Sequence, residues 1–217
     1  EGITDQLIFD QSVGKMRPRC EVILENLAAH IDFAQTDNLL DFGCGRGAML
    51  KAVSRTALNT YGYDLDNSHL PYLDPLPNFV ELFTNRDDLP TERFDVVTMI
   101  HSLEHFTDPL SEVRLALSLL KEGGYLFIQV CDTRKNPFDI FVADHLTHFE
   151  PATVSQLVQA AGFSVLFSDN RFVGKEICLL ARKPAKDSVS FESINVQVTH
   201  DLLSVSQQIA WLDQLAN

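Results

Sequence analysis

The chain has 217 residues, of which 45% are hydrophobic and 22% charged, a composition typical of one globular domain with a full core. Thirty acidic residues against 17 Lys and Arg give a formal net charge of −13, which repels phosphate backbones and argues against a nucleic-acid partner. No segment is apolar for long enough to span a membrane, and no signal peptide is visible. Composition therefore favours a small molecule or a protein as the partner.

Cysteine usage indicates the compartment. The four cysteines show no C-x-x-C or other metal-binding spacing, which predicts unpaired thiols in a reducing cytoplasm. They are Cys20, Cys44, Cys131 and Cys178.

The hydrophobic pattern predicts alternating strands and helices. A short apolar segment, residues 7–9, precedes an amphipathic helix from Arg17 to Ile31, which is expected to cap the ligand-binding edge. Three prolines in residues 67–79 predict a short or missing helix there. This alternation predicts a doubly wound, seven-stranded, mostly parallel α/β sheet that binds its ligands at the carboxyl ends of the strands. Strands are predicted at 38–43, 60–64, 79–84, 94–100, 125–130, 164–169 and 176–183, and helices near 46–55, 109–121 and 152–161.

The pattern changes at Lys186, so residues 1–185 are predicted to form one domain and residues 186–217 an extension. A helix from His200 to Leu215 is expected to link to a further domain. The first residue is Glu1 and not Met, so further residues are expected to precede it.

A glycine-rich turn follows the first strand of this sheet, in LLDFGCGRGAML at residues 39–50. An apolar run and Asp41 lead into Gly43, Gly45 and Gly47, which open onto helix-forming residues. Glycines suit a turn where a cofactor lies against bare backbone. The same letters fit the dinucleotide pattern G-x-G-x-x-G/A, so this turn alone also allows a nicotinamide oxidoreductase.

Two later segments extend this pattern. TYGYDLD ends its strand at Asp64, roughly twenty residues after the turn, where adenosine-binding α/β units place the acid that binds ribose hydroxyls. Residues 93–130 then predict a strand, a loop, an amphipathic helix, a Gly-Gly turn and a strand.

Four ordered blocks, LDFGCGRG, GYDLD, FDVVTMIHSLEHFTDP and LKEGGYLFIQV, resemble class I S-adenosylmethionine-dependent methyltransferases. The resemblance is to the ubiquinone-biosynthesis-like and sugar C-methyltransferase-like branches and covers roughly residues 10–183. It implies a Rossmann-like methyltransferase fold, S-adenosylmethionine as cofactor and S-adenosylhomocysteine as product. The implied acceptor is a small molecule with an O or C nucleophile, such as a sugar or quinone-type metabolite.

The resemblance also implies roles for individual residues. Asp41 would hold the glycine turn and the methionine end of the cofactor, Asp64 the ribose hydroxyls, and Leu65 would pack on the adenine. Asn85 falls where relatives often carry an acid that reads the adenine amino group, and Arg86 would offer its backbone N–H. Asp87 or Asp88 could serve in their place. The other cofactor-binding candidates are Gly43, Cys44, Gly45, Ile100 and His101.

The segment HSLEH offers a different chemistry. It satisfies H-x-x-E-H, which would make His101, Glu104 and His105 a zinc-hydrolase site. It follows directly on an apolar strand and precedes the helix cap TDP, which leaves little room for a metal-binding helix. The methyltransferase resemblance makes the same residues the loop after the fourth strand, so no metal is expected.

The loop after the fifth strand supplies the candidate base. In sugar C-methyltransferase-like relatives this loop carries an acid-His pair, which Asp144 and His145 match with Asp in place of Glu. A sulfonium leaves as a neutral thioether, so a base matters only when the acceptor must lose a proton, and imidazole suits that task. His145 is the first candidate and His101 the second, while a structural role for either histidine stays open. A module that binds the cofactor without catalysis also stays open.

Overall fold

The computed structural model describes residues 3, 5–10, 12–170 and 172–185. The extension at 186–217 and its predicted helix lie outside the described residues. The division of the chain at residue 185 therefore stays a prediction.

A seven-stranded sheet organises the fold, and its strand order is β5-β4-β3-β6-β7-β9-β8. The first five of these strands run parallel, and β9 is antiparallel to both β7 and β8. This arrangement confirms the predicted doubly wound α/β sheet. The strands are β1 Leu7–Asp10, β2 Lys15–Pro18, β3 Asn38–Phe42, β4 Asn59–Tyr63, β5 Phe79–Phe83, β6 Phe94–Ile100, β7 Leu120–Cys131, β8 Ser164–Asp169 and β9 Glu176–Arg182.

Helices cover both faces of the sheet. The helices are α1 Arg19–Leu27, α2 Ala48–Val53, α3 Leu70–Leu73, α4 Pro109–Leu119 and α5 Pro151–Ala160. One core cluster joins the sheet to α4 and α5 through residues such as Val113 and Val154, and a second joins it to α1 and α2 through Ile23 and Leu50. The helix between β4 and β5 is a single turn, as the prolines predicted. Short 3₁₀ turns occupy Phe33–Gln35, Asn67–His69, Arg86–Asp88, Leu103–His105 and Pro137–Phe141.

The amino-terminal region corrects the predicted helix at 17–31. Strand β2 pairs antiparallel with β1 and ends at Pro18, and α1 begins only at Arg19. Proline has no amide hydrogen and disfavours helical backbone at the residue before it, so residue 17 stays extended. The Asp5 carboxylate accepts the amide N–H of Cys20 at 2.7 Å and so satisfies one free donor at the helix start.

The Gly-Gly segment at residues 123–124 was predicted as a turn between a helix and a strand. This prediction is wrong. Strand β7 begins at Leu120 and is continuous through Gly123 and Gly124. Its register against β6 shifts here, since Phe94 pairs with Leu120 but Val96 pairs with Tyr125. Gly123 has φ of +72°, so the extra residues form an irregularity inside the strand that glycine tolerates.

Candidate active site

A cavity of about 250 Å³ lies at the carboxyl ends of β3, β4 and β6. The sequence analysis predicted four of the residues that line this cavity as cofactor-binding. It missed Tyr63, Ser102 and Phe106, and it considered His105 only as a metal ligand. A larger depression of about 500 Å³ follows α1 at residues 28–33 and involves none of the motifs. The cavity at the strand ends is lined by Gly43, Tyr63, Asp64, Leu65, His101, Ser102, His105 and Phe106.

The glycine turn packs against the loops that follow β4 and β6. The amide N–H groups of Gly43 and Cys44 donate to the carbonyl oxygen of Tyr63 at 2.7 and 3.1 Å. Gly43 has φ of +80°, and a Cβ added there would lie 2.5 Å from Cβ of Ser102. Any side chain at this position would therefore push the loop after β6 away from the turn.

Asp64 joins the glycine turn to the end of β4. Its Oδ2 accepts the amide N–H of Gly45 at 2.8 Å, and its Oδ1 accepts that of Asp66 at 3.0 Å. A carboxylate can accept about four hydrogen bonds, so both oxygens keep capacity for ligand hydroxyls. The neighbouring Leu65 is 76% exposed at the cavity rim, which leaves an apolar surface for a ligand to cover.

Asp41 is buried below the glycine turn, where its Oδ1 accepts a hydrogen bond from Thr98 Oγ1 at 2.7 Å. Burial raises the pKa of the Asp41 carboxyl to about 6, although the Thr98 hydrogen bond and the Arg19 charge act to lower it. The ionised form at neutral pH therefore costs folding free energy.

The substitution Asp41→Asn is expected to stabilise the cofactor-free protein at pH 8 but not at pH 4. The folded pKa of about 6 exceeds the unfolded value of 3.8, so the wild type loses stability as pH rises through this window. The expected gain is at most about 2 to 3 kcal/mol, at about 1.4 kcal/mol per pKa unit. Urea unfolding of both proteins at the two pH values measures it. An equal effect at both values would contradict the ionisation argument.

His101 follows β6 with a strained backbone. Its φ of +49° lies in the left-handed region, which is uncommon for a residue other than glycine. Its amide N–H donates to the carbonyl oxygen of Gln129 at 2.9 Å, and its Nδ1 lies 3.0 Å from Oε1 of Glu104. Strained residues of this kind cluster at functional sites.

The structure does not favour the zinc-hydrolase alternative for HSLEH. Residues 103–105 form a 3₁₀ turn, and Glu104 is buried against His101 instead of facing an open metal position. His105 instead groups with Glu104 and His145, and its Nδ1 lies 2.9 Å from the carbonyl oxygen of Asp144. The two histidines therefore do not converge with Glu104 on one ion.

The loop after β7 folds over the turn at residues 103–105. The amide N–H groups of Leu146 and Thr147 donate to the carbonyl oxygen of Glu104 at 2.8 and 3.1 Å. The ring of His145 then packs edge-on against that of His105, with centroids 4.9 Å apart. His145 therefore reaches the cavity through His105, which lines it, and does not line the cavity itself.

The acid that pairs with His145 is Asp139, which corrects the predicted Asp144–His145 pair. His145 Nδ1 lies 2.7 Å from Asp139 Oδ1, and His148 Nδ1 lies 2.9 Å from Asp139 Oδ2. Asp144 instead lies beside His105, with its carboxylate 3.5 Å from Nδ1.

Asp139 is almost fully buried between its two histidines. Burial acts to raise the pKa of its carboxyl. Hydrogen bonds from His148, Cys131 and His145 act in the opposite direction and hold that pKa below its usual value. An ionised Asp139 accepts the Nδ1–H of His145, which leaves Nε2 of that ring as the proton acceptor.

Four predicted cofactor residues have side chains directed elsewhere. The Asn85 side chain accepts the amide N–H of Asp87 at 3.2 Å, and the Arg86 guanidinium pairs with Glu112 on α4. The other two, Ile100 and Cys44, belong to the core cluster under α1 and α2, where Ile100 is partly buried and Cys44 is buried. Burial raises the pKa of the Cys44 thiol. The recognition of adenine by residues 85–88 stays a prediction.

The arrangement of glycine turn, strand-end acid and covering loop can be compared with known proteins. A family model described as a methyltransferase domain matches residues 14–167. This chain belongs to the methyltransferase-domain family. A ubiquinone biosynthesis O-methyltransferase of Proteus mirabilis is 29% identical over 123 residues, which are 52% of this chain and 50% of that protein. The chain thus spans about half the length of the curated relatives it matches.

Solved structures share the class I methyltransferase fold of this chain. An S-adenosylmethionine-dependent methyltransferase from Archaeoglobus fulgidus superposes with a TM-score of 0.60 at 18% identity, covering 76% of this chain and 94% of that one. A [4+2]-cyclase superposes with a TM-score of 0.62 at 20% identity, covering 76% of this chain and 82% of that one. The fold alone therefore does not decide the reaction. Within the described residues of this methyltransferase-family chain, none of the helices is long and apolar enough to cross a bilayer.

Proposed function

We propose that this chain transfers a methyl group from S-adenosylmethionine to a small-molecule acceptor and releases S-adenosylhomocysteine. The observation that carries the proposal is the cavity at the strand ends, which is lined by Gly43 of the glycine turn, by Asp64 and Leu65, and by His105. The covering loop adds His145 behind His105. The candidate cofactor residues thus line one opening with His105, and the candidate base His145 packs against His105.

The residues present fit the family's cofactor. The Asp64 carboxylate has free acceptor capacity for ribose hydroxyls, and the exposed Leu65 offers an apolar surface for adenine. The bare backbone of Gly43 allows close approach, and Asp41 supports the turn from below. When bound, S-adenosylmethionine supplies an electrophilic methyl group on a sulfonium that leaves as a neutral thioether.

His145 is proposed as the base that removes the acceptor proton. The buried Asp139 carboxylate orients its ring and favours the tautomer with Nε2 free. Alignment of acceptor and methyl group supplies a large part of the rate in such reactions, so the base adds to proximity and does not replace it. His101 lines the cavity but is held by Glu104, which makes it the second candidate.

The acceptor is proposed to be a small metabolite with an O or C nucleophile. The name of the Proteus mirabilis relative supports a quinone-type hydroxyl, and the sugar C-methyltransferase-like blocks support a sugar. The formal charge of −13 supports a partner other than nucleic acid. The four free cysteines support a cytoplasmic location, which we propose as well.

The test combines binding with turnover. Calorimetry is expected to show that the protein binds S-adenosylhomocysteine and prefers it to NAD. Incubation with S-adenosylmethionine and panels of phenolic and sugar acceptors is expected to form S-adenosylhomocysteine only when a suitable acceptor is present. Preference for NAD would overturn the assignment. Tight binding with no turnover across both panels would favour a non-catalytic binding module instead.

A further inference from the structure

A second cluster of potential ligands lies beside the cavity, where His101 is joined by residues of β7 and β9. Cys131 is the last residue of β7, and Glu176 is the first residue of β9 and its partner in the antiparallel register. His101 follows the neighbouring strand β6. One ligand atom from each of these three residues lies within 4.8 Å of the other two.

Two atoms in this cluster are buried without a partner. His101 Nε2 and Glu176 Oε2 lie 3.4 Å apart, and neither atom has a hydrogen-bond partner among the residues that the structure describes. A charged N–H···O bond is shorter, at about 2.7 to 2.9 Å. Two ligand atoms bound at about 2.0 to 2.1 Å to one tetrahedral zinc ion, by contrast, lie about 3.3 to 3.4 Å apart. The observed separation therefore matches a shared ion better than a direct hydrogen bond.

Glu104 orients the His101 ring in the way that carboxylates commonly orient metal-binding histidines. Its Oε1 lies 3.0 Å from Nδ1 of His101, and its side chain is 2% exposed. Metal-bound histidines usually donate their second ring N–H to a carboxylate or a carbonyl, which fixes the ring orientation and the tautomer. With Nδ1 protonated toward Glu104, Nε2 of His101 keeps a lone pair for an ion.

We propose that His101, Cys131 and Glu176 bind one zinc-type divalent cation. Imidazole, thiolate and carboxylate are all zinc ligands, whereas magnesium and calcium prefer oxygen alone. On binding, the Cys131 thiol forms the sulfur–metal bond and releases its proton to solvent. Three protein ligands leave a fourth position for water or an acceptor oxygen, next to the cavity that His101 lines.

This site differs from the H-x-x-E-H alternative, although it shares His101 with the cavity and, through Cys131, borders the Asp139 carboxylate that orients His145. It uses His101 without His105, and its other two ligands come from distant strands. It also leaves His145 free as the proposed base. Its test needs no acceptor and no turnover.

The experiment uses metal-depleted protein titrated with zinc chloride. Calorimetry, with elemental analysis after dialysis, is expected to show one zinc per chain. Cobalt(II) in place of zinc is expected to give a thiolate-to-cobalt charge-transfer band in the near ultraviolet. Binding of less than stoichiometric zinc, or cobalt spectra without that band, would overturn the proposal.

Variants locate the site. Cys131→Ser is expected to abolish the cobalt band. Glu104→Gln, which removes the carboxylate that supports His101, is expected to lower zinc affinity by about 10- to 100-fold. Glu176→Gln keeps the side-chain shape and is expected to lower zinc affinity at least as much. The matched control is Cys178→Ser, a second buried cysteine on β9, which is expected to retain the metal. Circular dichroism is used to check that each variant is folded. Equal loss in Cys178→Ser, or unchanged binding in folded Glu176→Gln, would contradict the assigned ligands.

Discussion

Replacing His145 with alanine is expected to lower the turnover of the proposed methyl transfer by roughly 10² to 10⁴ fold, the usual effect of losing a positioned base. Affinity for S-adenosylhomocysteine is expected to stay unchanged, because His145 pairs with Asp139 and packs on His105, whereas Asp64 holds the glycine turn. Steady-state rates with an identified acceptor measure the first quantity, and calorimetry measures the second.

His148→Ala is the matched control for this prediction. His148 contacts the other oxygen of Asp139 at 2.9 Å but does not line the cavity, and its side chain is 33% exposed. Its loss is expected to leave turnover within a few fold of wild type. Native turnover in His145→Ala would rule out His145 as the base and leave His101 or proximity alone as the better account.

The pH profile gives an independent readout of the same role. Turnover is expected to rise with pH as the base loses its proton, and His145→Ala is expected to lose that dependence. Asp139 does not produce this rise, because the pKa of its carboxyl is held below the usual acidic value. A profile that is the same in the variant would contradict the assignment. The titratable groups around His145 are Glu104, His105, Asp139, Asp144 and His148.

Replacing Asp64 with alanine is expected to weaken S-adenosylhomocysteine binding by about 1.5 to 3 kcal/mol, the range for hydrogen bonds to a charged group. This corresponds to a loss of roughly 10- to 150-fold in affinity. The change also frees the amide N–H of Gly45, so the glycine turn loses a contact that shapes it. Calorimetry with S-adenosylhomocysteine measures the effect, and thermal melting checks that the fold survives.

Asp66→Ala is the control for Asp64. The Asp66 carboxylate is exposed and accepts the amide N–H of Ser68 at 2.9 Å, so it supports only the following 3₁₀ turn. Its loss is expected to leave affinity unchanged. Unaltered affinity in a folded Asp64→Ala protein would show that the ribose hydroxyls are held elsewhere.

The sequence by itself determined the sheet and four of the residues that line the cavity at its strand ends. Apolar runs, glycines with positive φ and acids at strand ends are local signals, because each depends on a few adjacent residues and their backbone conformation. For this reason Gly43, Asp64, Leu65 and His101 were predicted and line the cavity. The prolines likewise predicted the single turn of α3.

Local signals were insufficient where distant segments compete for the same residues. The helix predicted from Arg17 begins later because β1 pairs with residues 15–18, a contact that periodicity within the helix does not report. The Gly-Gly segment stays within β7 because β6 pairs with residues before and after it, and β9 pairs along the opposite edge of β7.

Only the tertiary structure decided the partners of the buried polar groups. His145 pairs with Asp139 and not with its neighbour Asp144, because the loop after β7 folds back over the turn at residues 103–105. The cluster of His101, Cys131 and Glu176 arises because β6 and β7 end, and the antiparallel β9 begins, at one edge of the sheet. Buried polar atoms take whichever partner the packing brings within hydrogen-bond distance, and sequence spacing does not encode that distance.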